Sequence, residues 1–228
     1  MAALLLRLAA PLQAWGTDSK FEIRDTAREP SKSGVVGLLA AALGRKRDDS
    51  LEDLNQLRFA VRVDQEGELL HDFHMVHKDR KTSYLTHRYY LSDAVFLVGL
   101  ESQDREFISK LEYALKHPVY PLFLGRRSCP PSQPVVLGIR EGDLLTVLEK
   151  EPWLAADWRK RQLSRRSGSL RIMADAVPGD NGGIVHDLAV SFDPRDRKYG
   201  YRKVSIKNVR LSEQIPELTE HDAMKELR

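Results

Sequence analysis

Between Ser31 and Gly44 the hydrophobic positions recur at helical spacing: Val35, Leu38, Leu39, Ala42 and Leu43 fall at i, i+3, i+4, i+7 and i+8. Gly37, Ala40, Ala41 and Gly44 form a second face of small residues, so the predicted helix has no polar side and is buried. Ser31 or Ser33 offers a hydroxyl to its first turn, and Gly44 followed by Arg45, Lys46 and Arg47 ends it. Burial fixes the helix N-terminus, and with Arg24, Arg28 and Lys32 just upstream its free amides are expected to form an anion site. A second, amphipathic helix is predicted from Asp104 to Lys116, and Asp48-Asp49-Ser50 opens a short one to about Leu57.

Other stretches carry strand signals. Ala2 to Leu8 is an apolar run, and Phe59 to Val63 alternates as a half-buried strand. The Gln65-Glu66-Gly67 turn leads to a partner strand over Leu69 to Val76. Ala94 to Leu100, Tyr120 to Leu124 and Val135 to Ile139 continue the series. The order strand, helix, strand, strand, helix, strand predicts an α+β, ferredoxin-like domain over residues 1–142. Residues 77–90 interrupt it as a polar, basic and aromatic insertion. After a soft boundary near residue 142, short strands at 170–174, 184–192 and 202–209 predict a small C-terminal β-rich region, 143–228.

The 228 residues suffice to bury a real core. A net charge of +3 does not argue for nucleic acid by itself, so the clustering of the cations has to. The lone Cys129 excludes an internal disulfide and points to a reducing compartment; no segment reads as a membrane span, and a cytoplasmic location without membrane association is expected. His71, His74 and His77 alternate faces in a strand, so no metal is expected, nor any other cofactor. No phosphate loop, nucleophile elbow or catalytic carboxylate pair is present.

What remains is a binding pattern. Cations cluster in 24–32, 77–90, Arg126-Arg127, 159–171 and 195–203, with aromatics such as Tyr84, Tyr89, Tyr199 and Tyr201 among them. Cations hold phosphates while aromatic rings stack on unpaired bases, which suits single-stranded RNA.

Several motifs carry a family resemblance. They are Leu5 to Gly16, Arg24-x-Thr26 leading into Pro30-Ser31-Lys32-Ser33-Gly34, Asp72-x-His74, Tyr90-Leu91-x-Asp93-Ala94-x-Phe96, and Tyr120-x-x-Phe123 through Gly125-Arg126-Arg127-Ser128-Cys129-Pro130. In this order they resemble the CasD family of type I-E CRISPR Cascade complexes, in the RAMP superfamily. The resemblance implies a ferredoxin-like domain with an inserted thumb at about 77–90. It implies a non-catalytic subunit that caps and kinks the 5′ handle of the CRISPR RNA, beside Cascade backbone subunits and the large subunit. Target DNA is met only through the complex. The candidate RNA contacts are Trp15, Arg24, Arg28, Lys32, Ser33, Lys78, Arg80, Lys81, Tyr84, Arg126, Arg127 and Ser128. The alternative is a metal-independent endoribonuclease that processes CRISPR repeat RNA with His87 or His74 beside a tyrosine.

Overall fold

The computed structural model describes residues 1–16, 22–77, 79, 82–164 and 169–210. Strands β1 (Ala2–Ala9), β2 (Leu12–Gln13) and β3 (Ile23–Arg24) precede helices α1 (Lys32–Ala42) and α2 (Glu52–Asn55). Then come β4 (Arg58–Gln65), β5 (Glu68–His77), β6 (Ser83–Ser92), β7 (Val95–Ser102), α3 (Arg105–Lys116) and β8 (Val136–Glu141). Helices α4 (Leu144–Lys150) and α5 (Asp157–Ser164) lead into β9 (Ser169–Asp175), β10 (Gly183–Ser191) and β11 (Lys198–Arg210).

Seven strands form one sheet in the order β10-β11-β9-β4-β7-β1-β8, and every neighbouring pair is antiparallel. Strands from both sides of residue 142 share it. The alternation of β1 explains its two covered faces: Leu4, Leu6 and Leu8 pack with α1 and α3, while Ala3 and Leu5 pack with Leu144, Val147 and Leu148 of α4. Helix α1 forms as its pattern predicts. Ser31 Oγ accepts from Gly34 N at 3.2 Å, Gly44 closes the helix at φ +73°, and Val35 and Leu39 are fully buried. Each such side chain contributes about 1.5–3 kcal/mol relative to exposure.

Three expectations need correction. Strand β4 is buried on both faces, because α4 covers the side read as solvated. Arg62 and Asp64 on that side pair bidentately at 2.6 and 2.8 Å, both fully buried. Arg62 also donates to the carbonyls of Leu148, Glu151 and Pro152, which the end of α4 leaves without helical partners. Second, β5 does not pair with β4, whose two edges are taken by β7 and β9. It pairs with β6 from Glu68↔Ser92 to His77↔Ser83, in a second sheet with β2 and β3. Of the expected insertion, His77 ends the first strand of a long hairpin and residues 83–90 make up most of its second. Third, 120–124 is no strand: the Val119 and Tyr120 amides donate to Ala42 O and Ala41 O, binding the segment to the end of α1.

Candidate nucleic-acid interface

The end of α1, the segment after α3 and the β10–β11 turn enclose a cleft of about 460 Å³. Trp15 forms its back wall. Its indole is 1% exposed, donates from Nε1 to Gln13 Oε1 at 3.1 Å, and lies so close to α1 that a Cβ on Gly34 would meet it at 2.8 Å. Ser33 and the small face of α1, Gly37, Ala40 and Ala41, line the floor. Gly125 carries the opposite rim past Ala14, at φ +85°, where a Cβ would fall 1.6 Å from the Ala14 carbonyl oxygen. Only glycine allows that approach, and it sets Arg127 at the cleft.

The rest of the lining is cationic and aromatic. Arg45, Lys46, Arg47, Arg127 and Arg197 border the cleft with Tyr120, Phe123, Phe192 and Tyr199, and no carboxylate lines it among the described residues. Arg45 is held by Asp53 and the Ser50 carbonyl. The hydrogen bond from Arg45 in turn keeps the Asp53 carboxyl below its usual range. Lys46, Arg47, Arg127 and Arg197 have no carboxylate partner among the described residues, so their charge remains available to an anion. Rings and unpaired cations around an open cleft are what stacked bases and their phosphates require.

Of the residues expected from sequence, Trp15, Ser33 and Arg127 meet in this cleft. Lys32 is a correction. Its side chain is buried, and Nζ donates to Asp175 Oδ2 at 2.9 Å and to Leu57 O at 2.8 Å. The expected anion site at the start of α1 is also filled from within, since Lys32 N donates to Asp187 Oδ2 at 2.8 Å. Arg202 closes the network on Asp187 and Asp175. Burial opposes the Arg202 charge, but the two carboxylates outweigh it and hold its pKa above the ordinary value. The unsolvated network needs these partners, which is why Lys32 faces inward.

Arg126 is likewise engaged, although it adjoins Arg127. Nη2 donates to Arg24 O at 2.7 Å and to Asp25 O at 3.3 Å, and the guanidinium lies 4.7 Å over the Tyr90 ring. It clamps the base of the hairpin. Arg24 and Arg28 are exposed near that base, Arg28 within 3.5 Å of Gly67 O. Ser128 is exposed, with its hydroxyl 3.8 Å from Cys129 Sγ. Tyr84 stands exposed on the hairpin, whereas Lys78, Arg80 and Lys81 lie outside the described residues. Sequence reasoning missed Phe192, which approaches Gly37 only because β10 returns beside α1. It also took Arg45, Lys46 and Arg47 merely as a helix stop.

One more cluster sits on the hairpin. His71 Nε2 and His87 Nδ1 are 2.9 Å apart, and the His71 ring stacks on Tyr89 with centroids 4.5 Å apart. Phe73 packs at 4.4 Å from His71.

Comparison with known proteins gives these features a context. The Cascade subunit CasD of Escherichia coli K12 is 41% identical over 156 residues, 59% of this chain and 70% of that one. A crystal structure of a Cas protein is 41% identical and superposes with a TM-score of 0.71 over 92% of this chain and 95% of that one. A chain of a CRISPR RNA-guided surveillance complex superposes at TM-score 0.75 and 30% identity, over 91% and 90%. The model of the CRISPR-associated protein family Cas5 matches residues 3–205, nearly the whole described chain, and the protein belongs to that family.

Proposed function

We propose that this chain is a non-catalytic RNA-binding subunit of a type I-E Cascade surveillance complex, capping the 5′ handle of the CRISPR RNA. The observation that carries the reading is the cationic, aromatic cleft, where Lys46, Arg47, Arg127 and Arg197 meet Tyr120, Phe123 and Tyr199. The order β8-β1-β7-β4, with α1 and α3 as crossovers, supports a ferredoxin-like domain. The β5–β6 hairpin suits a thumb that kinks the RNA. Residues 143–228 are the C-terminal region of this reading, whose strands β9, β10 and β11 extend the same large sheet. The similarity to a Cascade subunit supports other Cascade subunits as partners; in this reading they are the backbone subunits and the large subunit, the complex works in the cytoplasm, and target DNA is reached through it.

The His71–His87–Tyr89 cluster favours a second reading, a metal-independent repeat endoribonuclease, because two imidazoles near a phenol can move protons at a ribose hydroxyl. One assay separates the two: purified protein, end-labelled CRISPR repeat RNA and excess EDTA, with binding and cleavage followed together. The proposal expects a shifted, intact RNA. A discrete cut that disappears in His87→Ala would establish the nuclease instead.

A further inference from the structure

A second cavity, of about 520 Å³, lies away from the cleft on the other face of the large sheet. The alternation of β1 puts Arg7 on the side of Ala3 and Leu5, opposite α1. Ala9, Pro11, Val95 and Leu154 give the cavity an apolar floor, and Trp158, at the start of α5, stands at its mouth. Its volume is in the range of small-molecule sites.

Two features of this cavity have no use within the fold. The Arg7 guanidinium is half-buried, forms no ion pair among the described residues, and its Nε has no hydrogen-bond partner. Trp158 is 59% exposed where it borders the cavity. Behind it α5 continues as Arg159-Lys160-Arg161, and no acid occurs from there to Arg171. The Asp93 carboxylate at the rim, which accepts from Ser92 Oγ at 3.1 Å, offers an acceptor suited to the N–H edge of a base.

We propose that this cavity is a second nucleic-acid subsite, which takes one unpaired nucleotide with its base against Trp158 and its phosphate at Arg7. A phosphate compensates the Arg7 charge in its half-buried position, while the exposed Trp158 ring gives the attached base a surface to stack on. The inference extends the RNA-binding reading above and rests on it. A strand that occupies both places passes from one face of the sheet to the other around the Ala9–Pro11 end.

Tryptophan emission tests it directly, because Trp15 and Trp153 are buried and Trp158 alone is exposed among the three. The full chain is titrated with a short polyuridylate RNA and, separately, with polythymidylate DNA. Saturable quenching supports the subsite: by RNA alone it assigns the slot to the guide strand, by both to any exposed single strand. Trp158→Ala is expected to weaken RNA binding about tenfold, within the range of one lost base stack, while Trp158→Phe retains most of the affinity. Arg7→Gln is expected to make the salt dependence shallower by about 0.7, one phosphate contact. If the RNA binds but neither the emission nor the Trp158→Ala affinity changes, the subsite is overturned and the cleft reading stands. Emission that responds only to added Cascade subunits makes the cavity a protein socket and overturns the proposal as well. Absence of RNA binding by the wild-type chain removes the RNA-binding reading and the subsite together.

Discussion

Lys32 and Arg127 show how neighbours decide the use of a cation. Lys32 sits where a phosphate ligand was expected, yet it is held by Asp175 and Leu57 O at the hub of a network that binds α1 to β9, β10 and β11. Lys32→Met should lower the unfolding free energy by about 3 kcal/mol in urea titrations, the lower end for a broken buried pair, since Asp175 keeps Arg202 and Phe59 N. RNA affinity of the folded variant should be unchanged. Weakened binding at undiminished stability would return Lys32 to the RNA face. The sequence could not separate these two cations: both follow turn residues in basic loops, and Asp175 and Asp187 lie more than a hundred residues away from Lys32. That Trp15, Ser33 and Arg127 belong together was legible from the short motifs that contain them, although the Arg127 loop is held by a distant contact, Gly125 against Ala14.

Among the elements, those set by local chemistry match their patterns. Ser31 caps α1, Asp104 caps α3 by accepting from Phe107 N at 2.9 Å, and Gly44 ends α1. Strand pairing is a non-local choice, and there the pattern failed: β5 alternates well enough to join either β4 or β6. The junction of β4, β7 and α4 carries a pH-dependent tie. Asp143 caps α4 and pairs with Arg58 at 2.8 Å, and the hydrogen bond from Arg58 holds its carboxyl below the usual carboxylate range. A depressed folded-state pKa contributes stability above the unfolded value and loses it as pH falls through the folded one. The Tm of the wild type should therefore fall more steeply on acidification than that of Asp143→Asn, which keeps a capping oxygen without the charge. Parallel Tm–pH curves would exclude the ion pair as a source of acid sensitivity.

At the scale of the molecule, a seven-stranded sheet whose central strands β1, β4 and β7 are buried sets a cationic cleft beside α1, and a hairpin with exposed Phe73, Met75 and Tyr84 extends from a second, smaller sheet. The small net charge of +3 conceals this arrangement, because Lys32, Arg45, Arg62 and Arg202 pair with carboxylates while Arg127 and Arg197 have no such partner among the described residues. The α+β class was legible from element order, whereas the joining of β9 to β4 was not, since it brings together segments about 110 residues apart. The central claim is that RNA phosphates lie in the α1 cleft. Its most direct test compares the salt dependence of repeat-RNA binding by the wild type and by the Arg127→Ala/Arg197→Ala double variant. The account predicts weaker binding and a slope shallower by about 0.7 for each lost phosphate contact. An unchanged slope and affinity would contradict it and place the RNA elsewhere on the protein.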